Sequence, residues 1–183
     1  MEHWIQQIDE NTKQFKESFS RLNDEQFNWK PRPDSWSIAQ NIDHLIIINS
    51  SYFPILEQLR AGQYQVPWHG KLGFVVSFMG NMVLKAVSPD RRSKMQTFPL
   101  WEPTQSRVET GILDRFVQHQ GDLKEAIRSC AALLSGGAVI SSPANRNIVY
   151  TLETAFEVIV SHERRHLMQA REVLEVLPEG YAI

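Results

Sequence analysis

The chain has 183 residues, 42% of them hydrophobic and 22% charged, which fits one globular domain, residues 1–183, large enough for a proper core. A formal net charge of −2 gives no electrostatic footprint for nucleic acid, and the one cysteine, Cys130, excludes an intrachain disulfide or a multi-cysteine zinc site. The opening Met1-Glu2-His3-Trp4 carries an acid and starts a helical pattern at once, so it does not read as a secretory signal. The most apolar run, Leu72 to Val87, is short and broken by Gly80, Asn81 and Lys85, so no membrane span is expected and a cytoplasmic location follows by default.

The first helix is predicted from Glu2 to Leu22, with Trp4, Ile8, Phe15, Phe19 and Leu22 on one face. Asn23 can cap a short turn, Asp24 to Phe27, and the prolines of Trp29-Lys30-Pro31-Arg32-Pro33 force an extended connection. The second helix runs from after Asp34-Ser35 to Ala61-Gly62, with a kink near Ser50-Ser51 imposed by Pro54. His44 sits at the edge of its buried face, with Asn41 and Ser37 one and two turns before it. Alone, such a histidine reads as a hydrogen-bonded core residue.

Residues 63–104 are divided by prolines and glycines; within them Leu72–Val87 suits one short helix packed on the bundle. Arg91-Arg92-Ser93-Lys94 is a basic cluster, read as a solvated loop or as a grip for an anionic substrate. Trp36 and Trp68 read as packing anchors. The third helix is predicted from Thr104 to Leu134, its seam Ile112, Phe116, His119, Leu123, Ala126, Cys130, Leu133 placing His119 inward and Cys130 as a small buried filler. The fourth runs from Ile148 to Leu177, and no alternating strand pattern is visible. Four long helical patterns with one extended connection between the second and third read as an all-α fold, an antiparallel four-helix bundle.

The fourth helix carries the strongest signal. Its seam reads Ile148, Leu152, Ala155, Ile159, His162, His166, Gln169, Val173, Val176, so two imidazoles and an amide interrupt an otherwise apolar face. Histidines at i and i+4 project from one face, and with His44 from the second helix they make a tripod able to hold a divalent ion with positions left open. Imidazole suits Zn, Ni, Fe and Co about equally. Asn41, Glu163 and Gln169 are candidates to orient the rings, although Glu163 follows a ligand directly and points about 100° away. His119 is a further pocket candidate, as a fourth ligand or as a core histidine.

The stretch Asp34-Ser35-Trp36-Ser37-Ile38-Ala39-Gln40-Asn41-Ile42-Asp43-His44-Leu45 resembles the second-helix signature of the DinB-like family of bacterial metal proteins. Tyr150 to Phe156 followed by His162-Glu163-Arg164-Arg165-His166-Leu167-Met168-Gln169-Ala170 resembles its fourth helix, and Lys94-Met95, Phe98-Pro99 and Glu102-Pro103 are similar to the segment before its third. The resemblance implies a four-helix bundle, a divalent metal (Zn, Ni, Fe, Mn or Co) on His44, His162 and His166, and frequent homodimers. It also implies an activity like that of YfiT-like S-transferases using a low-molecular-weight thiol of the bacillithiol kind, or of thiol-dependent isomerases. The chain departs from the YfiT-like pattern in its longer middle segment. Three functions compete: a thiol S-transferase acting on an electrophilic substrate, a hydrolase using metal-bound water, and a stress-related metal- or ligand-binding protein without turnover.

Overall fold

The computed structural model describes residues 1–89, 101–103, 107–108 and 111–178. The basic cluster Arg91–Lys94, the motif from Lys94 to Pro99 and the Thr104 cap lie outside them. The helices are α1 (Glu2–Phe19), α2 (Asp24–Asn28), α3 (Ile38–Ser50), α4 (Phe53–Arg60), α5 (Gly73–Val87), α6 (Ile112–Arg128), α7 (Ala131–Ser135) and α8 (Leu152–Glu175), with a 3-10 turn at Trp68–Lys71 before α5. Local chemistry sets the starts. Asn23 and Ser37 each form a reciprocal capping box, with Gln26 and Gln40, which answers two backbone N–H groups at the head of α2 and of α3. The expected kink appears as a break at Ser51-Tyr52, and Pro54 falls in the first turn of α4, where its missing N–H costs nothing.

The fold is mainly helical, as expected, but the absence of strands is corrected. Val139–Ser142 and Asn145–Thr151 form an antiparallel hairpin, β1 and β2, in the register Val139↔Thr151, Ile140↔Tyr150 and Ser141↔Val149. Ile148 is therefore a strand residue and not the first member of the seam. Thr151 ends β2 and caps α8, its hydroxyl accepting from Thr154 N at 3.1 Å. The hairpin was illegible because β1 is four residues long and buried at three of them, so no in–out alternation exists to read. The third predicted helix is also shorter, since the chain breaks at Ser129-Cys130 between α6 and α7.

Helices α1, α3, α6 and α8 pack on one another, α8 and α6 each meeting both α1 and α3. Their interior is not one apolar core but two. One cluster gathers Trp4, Ile8, Tyr52, Leu123, Ile127, Leu152 and Phe156; the other gathers Phe15, Phe19, Ile38, Ile42, Phe116 and Leu167. Along every one of the four helices, buried polar residues lie between the two sets of anchors: Asn11 on α1, Asn49 on α3, His119 and Gln120 on α6, Glu163 on α8. The bundle thus has a polar layer at mid-height, which is where the site is built.

Helix α5 lies against β2 and α8. Gly80 permits the approach, because a Cβ there would meet Thr154 Cγ2 at 3.3 Å and Tyr150 Cβ at 3.4 Å. Trp68 is not a packing anchor as expected: it is 76% exposed.

Candidate metal centre

His44 on α3 and His162 and His166 on α8 come together, each offering one ring nitrogen, with all three nitrogens within 4.8 Å of one another. His44 and His166 are buried and His162 is intermediate. Ring centroids lie 4.6 Å apart for His44–His166, 5.1 Å for His44–His162 and 4.5 Å for His162–His166. The indole of Trp36, just before α3, lies against two of them, 4.9 Å from His44 and stacked at 5.8 Å on His166.

The hydrogen bonds fix which nitrogen carries the proton. His44 Nδ1–H donates to the Trp101 carbonyl at 2.5 Å, since a carbonyl can only accept. Asn41 gives its amide N–H to Ser37 O at 2.9 Å, which turns its oxygen toward His166, where it accepts from Nδ1–H at 2.8 Å. In both rings Nε2 is left with a bare lone pair. His162 Nε2 lies 3.0 Å from His166 Nε2, and His162 Nδ1 is buried with no hydrogen-bond partner among the described residues. If His162 donates from Nε2, its Nδ1 lone pair is unanswered; if it carries the proton on Nδ1, two lone pairs face each other. Either tautomer leaves a buried nitrogen unsatisfied, at about 1–3 kcal/mol, and a cation held by the Nε2 atoms would relieve the facing lone pairs while leaving the proton on His162 Nδ1. Ligands about 2.0–2.1 Å from a metal sit roughly 3 Å apart, so the spacing fits.

Charge reinforces the readiness of the rings. Burial pushes the His44, His162 and His166 imidazoles below the usual range, the last two well below; neighbouring histidines and the Arg165 guanidinium add to the effect at His162 and His166, whereas the Trp101 carbonyl and Asp43 pull the other way at His44. Arg165 is itself buried and donates to Ala86 O near the end of α5 at 2.8 Å. The rings are therefore neutral at pH 7, the form that binds metal.

Glu163 faces elsewhere, as its position in the helix demands. Its carboxylate is fully buried and accepts from Asn11 Nδ2 at 3.2 Å, Asn49 Nδ2 at 2.9 Å and Gln120 Nε2 at 2.8 Å. Burial pushes the carboxyl up to about 7, with the three amide donors pulling the other way. His119 lies outside the histidine group, its ring 5.5 Å from Phe53, and Gln169 is half-buried with no hydrogen bond to a histidine among the described residues. Cys130 is a buried thiol pushed up by its surroundings, far from a thiolate. Three contributors escaped the sequence reading. The Trp101 carbonyl is backbone and leaves no mark in residue type, Trp36 was read as a packing anchor, and Arg165 looks like a solvated charge one residue from a ligand.

The structure thus defines a helical bundle with a cluster of three histidines whose ring nitrogens could hold a metal ion. A family comparison agrees: residues 7–170 match the DinB superfamily, and the chain belongs to it. Comparison with curated proteins and with solved structures found no match.

Proposed function

We propose that the protein is a metal-dependent S-transferase that joins a low-molecular-weight thiol of the bacillithiol kind to an electrophilic small molecule. The observation that carries this reading is the donor set: three neutral imidazoles, with the one fully buried acid on α8 tied to three amides instead of facing the cluster. His44, His162 and His166 would hold the ion, and three protein ligands leave coordination open. A divalent ion there would supply Lewis acidity, lowering the pKa of a coordinated thiol so that it reacts as thiolate near neutral pH. Asn41 and the Trp101 carbonyl hold two rings in the tautomer that presents Nε2, and Trp36 shields their faces from water. A hydrolase would need a carboxylate or comparable base beside the cluster to activate water. Among the described residues no carboxylate belongs to the group, and the nearby buried Asp43 is paired with Arg115, which is why the transferase is favoured.

Elemental analysis of protein purified without a His tag or chelator, beside a His162→Ala variant, tests the centre. We expect close to one equivalent of Zn, Ni, Fe, Mn or Co in the parent, and an affinity weakened about a hundredfold or more in the variant. A parent that holds no metal and takes up neither Zn²⁺ nor Ni²⁺ overturns the centre. Metal-loaded parent that fails to couple bacillithiol or a related thiol to an alkylating dye, at any rate above the metal-free protein, overturns the transferase.

A further inference from the structure

The strongest feature outside the metal centre is a helix that is apolar on both sides. Helix α5 buries Val76 and Gly80 against β2 and α8, yet its outer side carries Phe74, Phe78 and Met82, exposed by 75%, 71% and 47%. These residues recur at i, i+4 and i+8, so they form one stripe. Trp68, in the 3-10 turn leading into α5, is 76% exposed and extends the apolar surface. Three aromatic side chains at this exposure, close along the chain, are more than the singly scattered apolar residues of an ordinary surface.

The charge around the stripe says what covers it. No Asp or Glu occurs from Ala61 to Pro89 or from Gly136 to Leu152, whereas Lys71, Lys85 and Arg146 do, although the chain as a whole is net negative. All three cations are exposed, and the hairpin is joined to this layer by Arg146 Nη2, which donates to Gln65 O, and by the packing of β2 on α5. The segments that build this layer are therefore apolar and cationic and carry no acid of their own. A second copy is a poorer match: pairing this face with itself sets the Lys71 and Lys85 of one α5 segment against those of the other, with no acid on that segment to answer them. A bilayer needs no matching recess, accepts protruding aromatic side chains at the headgroup level and attracts cations when its lipids are anionic.

We propose that the outer face of α5, with Trp68 at its base and Lys71 and Lys85 at its ends, docks the protein peripherally on an anionic lipid surface. No described helix is long and apolar enough to cross a membrane, so the contact is with one leaflet.

Co-sedimentation with vesicles tests this on the full chain. The probes are pure phosphatidylcholine vesicles and vesicles containing a quarter phosphatidylglycerol, read for the parent, a Phe74→Ser/Phe78→Ser variant and a Lys71→Glu/Lys85→Glu variant. The parent should bind the anionic vesicles at least about tenfold more tightly than the neutral ones, and should release in high salt. Each double variant should lose about tenfold or more while keeping the parent's circular dichroism and melting temperature, because only exposed side chains change. Light scattering on the same samples reports molar mass. Parent that stays in solution with anionic vesicles, or variants that sediment as well as the parent, overturns the proposal. So does a parent dimer that Phe74→Ser/Phe78→Ser converts to monomer, since a second copy would then be what covers the face.

Discussion

Two polar clusters share the middle of this bundle, one residue apart on α8, and they are opposite in kind. Around Glu163, donors converge on an acid: Asn11, Asn49 and Gln120 bring amide N–H groups from α1, α3 and α6 to the carboxylate. Around His162 and His166, acceptors converge on one another, with two Nε2 atoms 3.0 Å apart and Nδ1 of His162 unanswered. The first cluster answers its acid from within the chain, while Asn49 Oδ1 and Gln120 Oε1 have no partner among the described residues. In the second, no side chain among the described residues answers every ring nitrogen, and the three rings could hold a cation. A buried polar residue is thus not in itself a sign of a site; here the sign is ring nitrogens from two helices turned on one another.

The largest effect expected from this contrast is on stability. Glu163→Leu keeps the volume but strands three buried amide groups on three different helices, and should cost about 3–5 kcal/mol in urea unfolding of the metal-free protein. A loss below about 1 kcal/mol would mean that the amides find other partners and that the layer does not tie the helices together.

A milder change at the same position should separate charge from shape. The Glu163 carboxyl moves from 4.5 in the unfolded chain to about 7 in the native one. A raised native pKa means that stability is fully present below the unfolded value and is lost as pH rises through the native value. The fold therefore gives up roughly 3 kcal/mol between pH 4.5 and about 7 on this account. A neutral carboxyl also adds one donor to a layer holding two unanswered acceptors, Asn49 Oδ1 and Gln120 Oε1. Glu163→Gln cannot ionise, so its stability relative to the parent should improve from pH 5 to pH 8. The histidines titrate alike in both chains and cancel in the difference, provided that metal is removed. Parallel curves across that range would show an acid of ordinary strength, held by amides for reasons other than its proton.

The two clusters also differed in how much of them could be read from sequence. His162 and His166 were legible because a seam of apolar residues at steps of three and four suddenly turns polar, and His44 because a second helix carries one histidine at the edge of its buried face. The DinB-like resemblance then joined residues more than a hundred positions apart, which periodicity alone cannot do. Glu163 was read to point away from the rings, and it does, but its destination was not legible. Asn11, Asn49 and Gln120 are single amides on amphipathic helices, and nothing in their local pattern separates a buried amide from a solvated one. The hairpin failed for a different reason: Ile148, Val149 and Tyr150 continue the α8 seam in hydrophobicity, and only Thr151, as a cap, marks where the helix starts. Trp68 shows the converse error, since size and apolarity say that a residue prefers burial, not that this chain supplies it.

The smallest expected effect bears on how the lone pairs come to face one another. Asn41 touches His166 only through Nδ1–H, and its own amide N–H, held by Ser37 O in the first turn of α3, dictates that its oxygen faces the ring. Asn41→Ala removes that acceptor without touching a ligand atom. His166 is then free to carry its proton on Nε2, where metal must bind, so each binding event has to shift the tautomer first. Loss of such an orienting bond typically weakens metal affinity by 10–100-fold, and the lower end, about tenfold, is expected because Trp36 still stacks on the ring. Zn²⁺ competition titrations on the parent and Asn41→Ala give the ratio, and the visible spectrum of the Co²⁺-loaded forms reports whether the ring has turned. Equal affinities with equal spectra would assign the orientation of His166 to the indole rather than the amide. The capping box of α3 would then be a helix stop with no consequence for the metal centre.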